Sequence, residues 1–168
     1  MQSLGGCIVL AKKSLIAVLA ILSVAAGSAF AQTQAPIDTV FAQGEPNPYG
    51  KYFTGQSYLT MLSENDSTFN APIGNVTFEP KSRTFWHKHT GGQILLVISG
   101  EGRYQERGQK VRIIKKGDVV RIAPNVEHWH GAGINTWMTH ISVETNVPNN
   151  KSEWLEPVSD KDFASEAQ

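Results

Sequence analysis

Short runs of β-type residues separated by turn residues fill the chain from Lys51 onwards, and this pattern constrains the fold more than any other feature. No stretch of this region keeps an apolar period of about 3.6 residues for long enough to form a core helix. The spacing of the runs therefore predicts an all-β sandwich or barrel. The predicted strands are residues 57–62, 75–78, 83–89, 93–98, 102–105, 110–114, 118–122, 127–131 and 136–144.

Glycine-containing segments between these runs predict the turns. Residues 99–102, 107–108 and 116–118 each contain a glycine, the residue that most easily adopts a positive φ, and hairpins are expected there. Near the C-terminus, Ser159 is followed by Asp160 and Asp162, an arrangement that resembles a helix N-cap with acidic residues in the first turn. We therefore expect one short C-terminal helix.

Length and charge limit the classes of function. A chain of 168 residues allows one domain at about 100–200 residues per domain. The 15 Lys and Arg residues balance the 15 Asp and Glu residues, so no excess of positive charge points to nucleic acid or to an anionic membrane surface. Both of these partners are therefore excluded, and a small-molecule substrate is expected from the residues considered below.

The N-terminal residues 1–31 have the pattern of a secretory signal peptide. Lys12 and Lys13 precede an apolar run over residues 15–26, and residues 29–31 (Ala-Phe-Ala) match a cleavage site. The run is shorter than the roughly 20 residues that span a bilayer. We expect export to the periplasm or the medium after cleavage near Ala31, with no membrane association afterwards. Residues 32–50 are then an extended N-terminal segment, and residues 51–168 are the domain with its C-terminal tail.

Two His-x-His pairs carry the chemistry of the sequence. Alternate side chains of a strand share a face, so His87 and His89 point the same way, as do His128 and His130. Neutral imidazole is the commonest protein ligand of divalent metals, and two such strands with a third histidine can converge on one ion. Gln93, at the start of the next predicted strand, could add a carbonyl oxygen.

Two longer motifs around these histidines resemble the cupin superfamily. Residues 81–93, closed by Gly100, are similar to its first motif, and residues 117–128 are similar to its second. The resemblance implies a small antiparallel β-barrel of the cupin type that holds a metal inside, with His128 as the third histidine ligand. The chain departs from the usual pattern at the first-motif Gly, the second-motif Gly and the glutamate ligand, which are here Lys81, Asn125 and Gln93.

Within this superfamily the chain resembles the small bacterial cupins that act as hydroxynitrile lyases, which also have Gln at the glutamate position. The likeness extends along nearly the whole mature chain, through residues 53–55, 76–80, 128–132, 138–140 and 154–160. It implies a metal site formed by His87, His89, Gln93 and His128. Manganese is the expected ion, with iron, nickel and zinc as alternatives. The resemblance also implies that His130 and His140 are catalytic residues that exchange the substrate proton, and that the protein is a homodimer.

Three classes of function remain open. The first is a metal-dependent lyase that acts on a cyanohydrin or a similar α-hydroxy compound. The second is a cupin dioxygenase or isomerase, and the third is an exported protein that binds a small ligand without turnover. Three neutral His and a neutral Gln leave the metal its full +2 charge, which favours a lyase or isomerase over an oxidase. His130 could instead only orient a ligand, and Arg83 and Lys88 are expected to be solvated surface residues.

Overall fold

The structure, a computed structural model, describes residues 39–168. The predicted signal peptide, residues 1–31, and the first part of the predicted N-terminal segment lie outside these residues. Within the described part of the chain, no helix has both the length and the apolar character needed to cross a lipid bilayer.

Strands are the main regular structure of the described chain, as the sequence pattern predicts. A 3₁₀ turn at Gly50–Tyr52 and a short helix near the C-terminus, α1 (Asp160–Phe163), complete it. The strands are β1 (Glu45–Pro46), β2 (Phe53–Thr54), β3 (Ser57–Asn65), β4 (Asn70–Phe78), β5 (Arg83–Thr84), β6 (His87–His89), β7 (Gln93–Glu106), β8 (Arg112–Lys115), β9 (Val119–Ile122), β10 (His128–Ala132), β11 (Met138–Glu144) and β12 (Ser152–Trp154).

These strands form one curled antiparallel sheet with the order β1-β3-β4-β11-β7-β10-β5-β2, and β6 pairs with both β10 and β12. The long strand β7 joins the two halves of the curl. Its first half pairs with β11 and β9, and its second half pairs with β10 and β8. Side chains from both halves, such as Leu95 and Met138 from one and Tyr104 and Ile114 from the other, pack into one core cluster. The predicted all-β fold with an antiparallel, curled sheet is thereby confirmed.

The predicted turn at residues 99–102 is wrong, because residues 93–98 and 102–105 belong to the single strand β7. Gly100 does have a positive φ, of 70°, but the strand continues through it. A Cβ atom at this position would collide with the carbonyl oxygen of Trp137, so the close approach of the two strands requires glycine here. The glycines of the other two predicted turns, Gly108 and Gly117, have φ values of 78° and 97°.

Two of the departures from the cupin motifs lie at left-handed backbone positions. Lys81 has a φ of 69° and Asn125 a φ of 64°. Glycine is the residue that adopts this conformation most easily, and asparagine tolerates it better than lysine does. The turns of the two motifs therefore keep the backbone that a glycine would give, at some cost in strain at Lys81.

The C-terminal segment packs on the outer face of the sheet, opposite the histidines. Alternation along β6 and β10 turns their histidines inwards and sends Trp129 outwards. Trp129 and Trp86 form a second core cluster with Val158 and Phe163 of this segment. The Ser159 hydroxyl accepts a hydrogen bond of 3.0 Å from the Asp162 amide, which caps α1 as the sequence predicts.

Arg83 anchors this segment, so its prediction as a solvated surface residue is wrong. Only 3% of Arg83 is exposed. Its guanidinium donates to the Val158 carbonyl at 2.9 Å and to the Asp160 carboxylate at 2.7 Å, and it lies 4.6 Å from the centre of the Phe163 ring. The side chain of Lys88 is partly exposed, and its Nζ atom forms an ion pair with the Glu153 carboxylate at 3.1 Å.

Replacing Arg83 with Ala should lower the free energy of unfolding by about 1–3 kcal/mol, because the Val158 carbonyl loses its donor in a buried place. Lys88→Ala is the matched control. It removes a partly exposed ion pair and should cost less than about 1 kcal/mol. Urea unfolding followed by tryptophan fluorescence measures both. Equal losses in the two variants would contradict the anchoring role of Arg83.

Candidate metal centre

The five histidines come together inside the curl of the sheet. The backbone register of β6 and β10 sets His87 directly opposite His128, and their rings are 4.1 Å apart between centroids. His140 enters from β11, and its ring centroid is 4.8 Å from that of His130. All five side chains are buried, including that of His89. The strands β6, β10 and β11 thus place five imidazoles in one region.

Three of these histidines could hold a metal ion. One ring nitrogen from each of His87, His128 and His130 lies within 4.8 Å of the others. His87 and His128 are in the ligand set that the sequence predicts, whereas His130 is predicted as a catalytic residue. His89 is not in this group, although its ring centroid lies 5.2 Å from that of His87 and 5.8 Å from that of His128. The corresponding distances for His130 are 5.4 Å and 5.8 Å.

Backbone carbonyls orient His87 and His128. The Nδ1 atom of His87 is 3.0 Å from the Phe85 carbonyl oxygen, and that of His128 is 2.9 Å from the Val126 carbonyl oxygen. A neutral ring that donates its Nδ1 proton to such an acceptor leaves the lone pair on Nε2. The hydrogen bond to the carbonyl also fixes the plane of each ring, as is usual for metal-ligating histidines.

The side-chain oxygen of the predicted ligand Gln93 faces a ring nitrogen of His128, and both atoms can bind a cation. The Nε2 atom of Gln93 donates to the Ser142 hydroxyl at 2.9 Å, which leaves Oε1 at 3.2 Å from the Nε2 atom of His128. With the His128 proton on Nδ1, two acceptor atoms face each other. A cation coordinated by both removes this repulsion, so the donor set fits a divalent metal.

His89 is oriented by a strand that the sequence analysis did not predict. Its Nδ1 is 3.2 Å from the hydroxyl of Ser152 on β12, and its Nε2 is buried without a hydrogen-bond partner among residues 39–168. Trp154, two residues further along β12, stacks on the ring of His87 at 4.7 Å. An orphaned buried nitrogen is costly, and a metal ligand bond would satisfy it. The predicted ligand His89 therefore also fits a metal site.

The two predicted catalytic histidines contact each other. The Nε2 atom of His140 is 3.2 Å from the Nδ1 atom of His130. Phe78 packs against both rings, with centroid distances of 5.9 Å and 5.6 Å. The Nε2 atom of His130 is buried and has no hydrogen-bond partner in the described chain. The assignment of His89 as a metal ligand and of His130 as a catalytic residue thus stays a prediction.

Burial keeps these imidazoles neutral. It lowers the pKa values of His89, His128 and His140 to about 4. Burial also holds the pKa values of His87 and His130 well below 6.5, and the neighbouring imidazoles add to the effect. At neutral pH every ring therefore keeps a lone pair, which is the form that binds metals and accepts protons.

A cavity of about 430 Å³ opens beside this cluster. Its walls include apolar side chains, among them Phe53, Leu59 and Trp154, together with four of the histidines. Ser142 and Glu144 also line it, and neither was selected from the sequence. Their spacing from His140 at intervals of two residues places all three on one face of β11, so strand alternation alone could have identified them.

Comparisons with known proteins agree on the family. A family profile described as the Cupin domain matches residues 74–137. An (R)-mandelonitrile lyase of Granulicella tundricola is 35% identical over 127 residues, which cover 76% of this chain and 97% of that protein. The chain therefore belongs to the cupin family.

Solved structures place it among the small cupins. A cupin-like protein from Thermotoga maritima is 45% identical, with a TM-score of 0.72 and coverage of 75% of this chain and 95% of that one. A predicted oxalate decarboxylase from the same organism is 24% identical, with a TM-score of 0.54 and coverage of 60% and 90%. The second likeness shows the fold alone.

Buried neutral histidines should make the fold sensitive to acid. Because the folded-state pKa values lie below about 6.5, the unfolded chain binds more protons as the pH falls, and stability is full above about pH 6.5 and is lost towards pH 4. The expected slope is about 1.4 kcal/mol per pH unit for each histidine that titrates. Urea unfolding of chelator-treated protein between pH 7.5 and 4 measures it.

The control for this prediction is His140→Asn, which removes one of the buried imidazoles. Its free energy of unfolding should depend less steeply on pH over the same range than that of the wild type. A flat pH dependence in the wild type would contradict the neutral state of the cluster.

Proposed function

We propose that this cupin is a metal-dependent lyase that cleaves or forms a cyanohydrin or a similar small α-hydroxy compound. The observation that carries the proposal is the contact between two buried histidines, His130 and His140, in the same cavity as predicted metal ligands. The 35% identity with an (R)-mandelonitrile lyase over 97% of that protein supports the same class of reaction.

The proposed metal ligands are His87, His89, Gln93 and His128, with manganese as the first candidate and iron, nickel or zinc next. The Nδ1 atom of each histidine contacts a protein oxygen, which leaves Nε2 for a metal. When bound, a divalent ion with four neutral ligands supplies Lewis acidity that stabilises negative charge on a substrate oxygen.

His130 and His140 are proposed to hold the substrate proton. Cleavage of a cyanohydrin removes the hydroxyl proton and breaks the bond between the hydroxyl-bearing carbon and the nitrile carbon, and the electron pair leaves with cyanide. A neutral imidazole accepts the hydroxyl proton, and the 3.2 Å contact between the two rings lets them share it. The same pair then returns the proton to cyanide, so that an aldehyde and hydrogen cyanide are released.

The walls of the cavity restrict water around this pair. Phe78 is fully buried against both rings, and Phe53 and Trp154 line the space in front of them. A ring-sized organic substrate fits the volume of about 430 Å³, which lies within the usual range for small-molecule sites. Exclusion of water strengthens the electrostatic interactions on which the proposed reaction depends.

Metal content separates the two histidines that compete for the fourth ligand position. His89→Ala should reduce bound metal from near one equivalent to well below it, whereas His130→Ala should retain the metal. The measurement is elemental analysis of protein purified with added manganese, with circular dichroism to check that both variants fold. Retained metal in folded His89→Ala together with loss in His130→Ala would assign the site to His87, His128 and His130 instead.

Turnover tests the proton-transfer role. His140→Asn should keep the metal and lower the rate of cyanohydrin cleavage by about 10²–10⁴-fold, the usual effect of losing a positioned acid or base. Aldehyde release from mandelonitrile and aliphatic cyanohydrins is followed by absorbance. Full activity of this variant would contradict the role of the pair. A wild type without activity on any cyanohydrin would contradict the lyase assignment and favour the dioxygenase, isomerase or ligand-binding alternatives.

A further inference from the structure

The charged groups that line the cavity are all acidic. Among the lining residues of the described chain, the only Asp, Glu, Lys or Arg side chains are Glu64 and Glu144. A substrate that enters this cavity therefore meets negative charge from the protein and no compensating lysine or arginine.

Glu144 is the more influential of the two acids because of where it lies. It is the last residue of β11 and shares the inner face of that strand with His140 and Ser142. The register of β11 and β7 places it opposite Gln93. Side chains in directly opposed positions have Cβ atoms about 4.5–5.5 Å apart. Glu144 is thus placed close to Gln93 on the wall of the cavity.

The environment of Glu144 leaves its charge available to a ligand. The side chain is half-buried, so water screens its charge only in part. Within residues 39–168 its carboxylate has no hydrogen bond or ion pair in the structure, whereas other acids such as Glu79, Glu127 and Glu156 are bonded to tyrosine or arginine side chains. Glu64 is exposed, so water and salt screen its charge more strongly.

We propose that Glu144 is a specificity-determining residue that admits neutral or cationic organic substrates and rejects those with an anionic group close to its carboxylate. This inference rests on the proposed lyase function only in taking the hydroxyl-bearing end of the substrate as the end that reacts. Two aromatic side chains, Tyr49 and Trp154, line the same cavity and would favour a cationic or aromatic group over a carboxylate. The substrate class is thereby narrowed to hydroxy compounds without a second, anionic group.

The physical reason is the weak screening of a half-buried charge. Two like charges a few ångströms apart repel each other several times more strongly at an effective dielectric constant of about 20 than in bulk water. An anionic group near Glu144 should therefore bind about tenfold more weakly than a neutral group of the same size. A cationic group should bind at least as well as the neutral one.

The experiment compares three alcohols that differ in the charge at the far end of one ring: benzyl alcohol, 4-carboxybenzyl alcohol and 4-(aminomethyl)benzyl alcohol. Their dissociation constants for the metal-loaded full-length mature protein are measured by calorimetry. The proteins are the wild type, Glu144→Gln and Glu101→Gln. Glu101 is exposed and does not line the cavity, so its variant makes the same change in net charge elsewhere.

The wild type and Glu101→Gln should both disfavour the carboxylate ligand by about tenfold, and Glu144→Gln should reduce that penalty to within about threefold. Equal penalties in all three proteins, or no binding of benzyl alcohol by the wild type, would overturn the proposal. Loss of metal from Glu144→Gln would also overturn it, because Glu144 would then be a ligand. Binding selectivity is measured independently of turnover. If the protein shows this selectivity but does not cleave cyanohydrins, only the proposed lyase function is refuted.

Discussion

The register that sets His87 opposite His128 is the constraint on which the rest of the site depends. It brings a His-x-His pair from β6 next to one from β10, so that four imidazoles share one inner face. The same alternation sends Trp129 to the outer face, where the C-terminal segment covers it. A shift of one residue would exchange the two faces and place tryptophan inside and histidine outside.

The strand pattern and the histidine spacing could be read from the sequence because both depend on local alternation. Features that depend on contacts distant in sequence could not. Arg83 is buried only because Val158 and Asp160, far along the chain, return to it. The strand β12 is three residues long and has no periodicity of its own, yet Ser152 contacts His89. Gly100 has the predicted positive φ, but whether the chain reverses there depends on its neighbour β11.

The electrostatics of the site follow from burial. Five imidazoles are held neutral, and Gln93 stands where the cupin motif usually has a glutamate, so the ligand atoms carry no formal charge. The nearby acid is Glu144, which is the cross-strand partner of Gln93. Negative charge is therefore kept out of the proposed ligand set and placed where a substrate passes. This arrangement leaves a bound divalent ion its full charge while the wall of the cavity discriminates among substrates.

The most direct test of this account is a crystal structure of the manganese-loaded protein with anomalous scattering data at the metal edge. The account predicts one anomalous peak bonded to the Nε2 atoms of His87, His89 and His128 and to Oε1 of Gln93, with the contact between His130 and His140 intact. A peak bonded to His130 with His89 left out would contradict it, as would the absence of any peak among the five histidines.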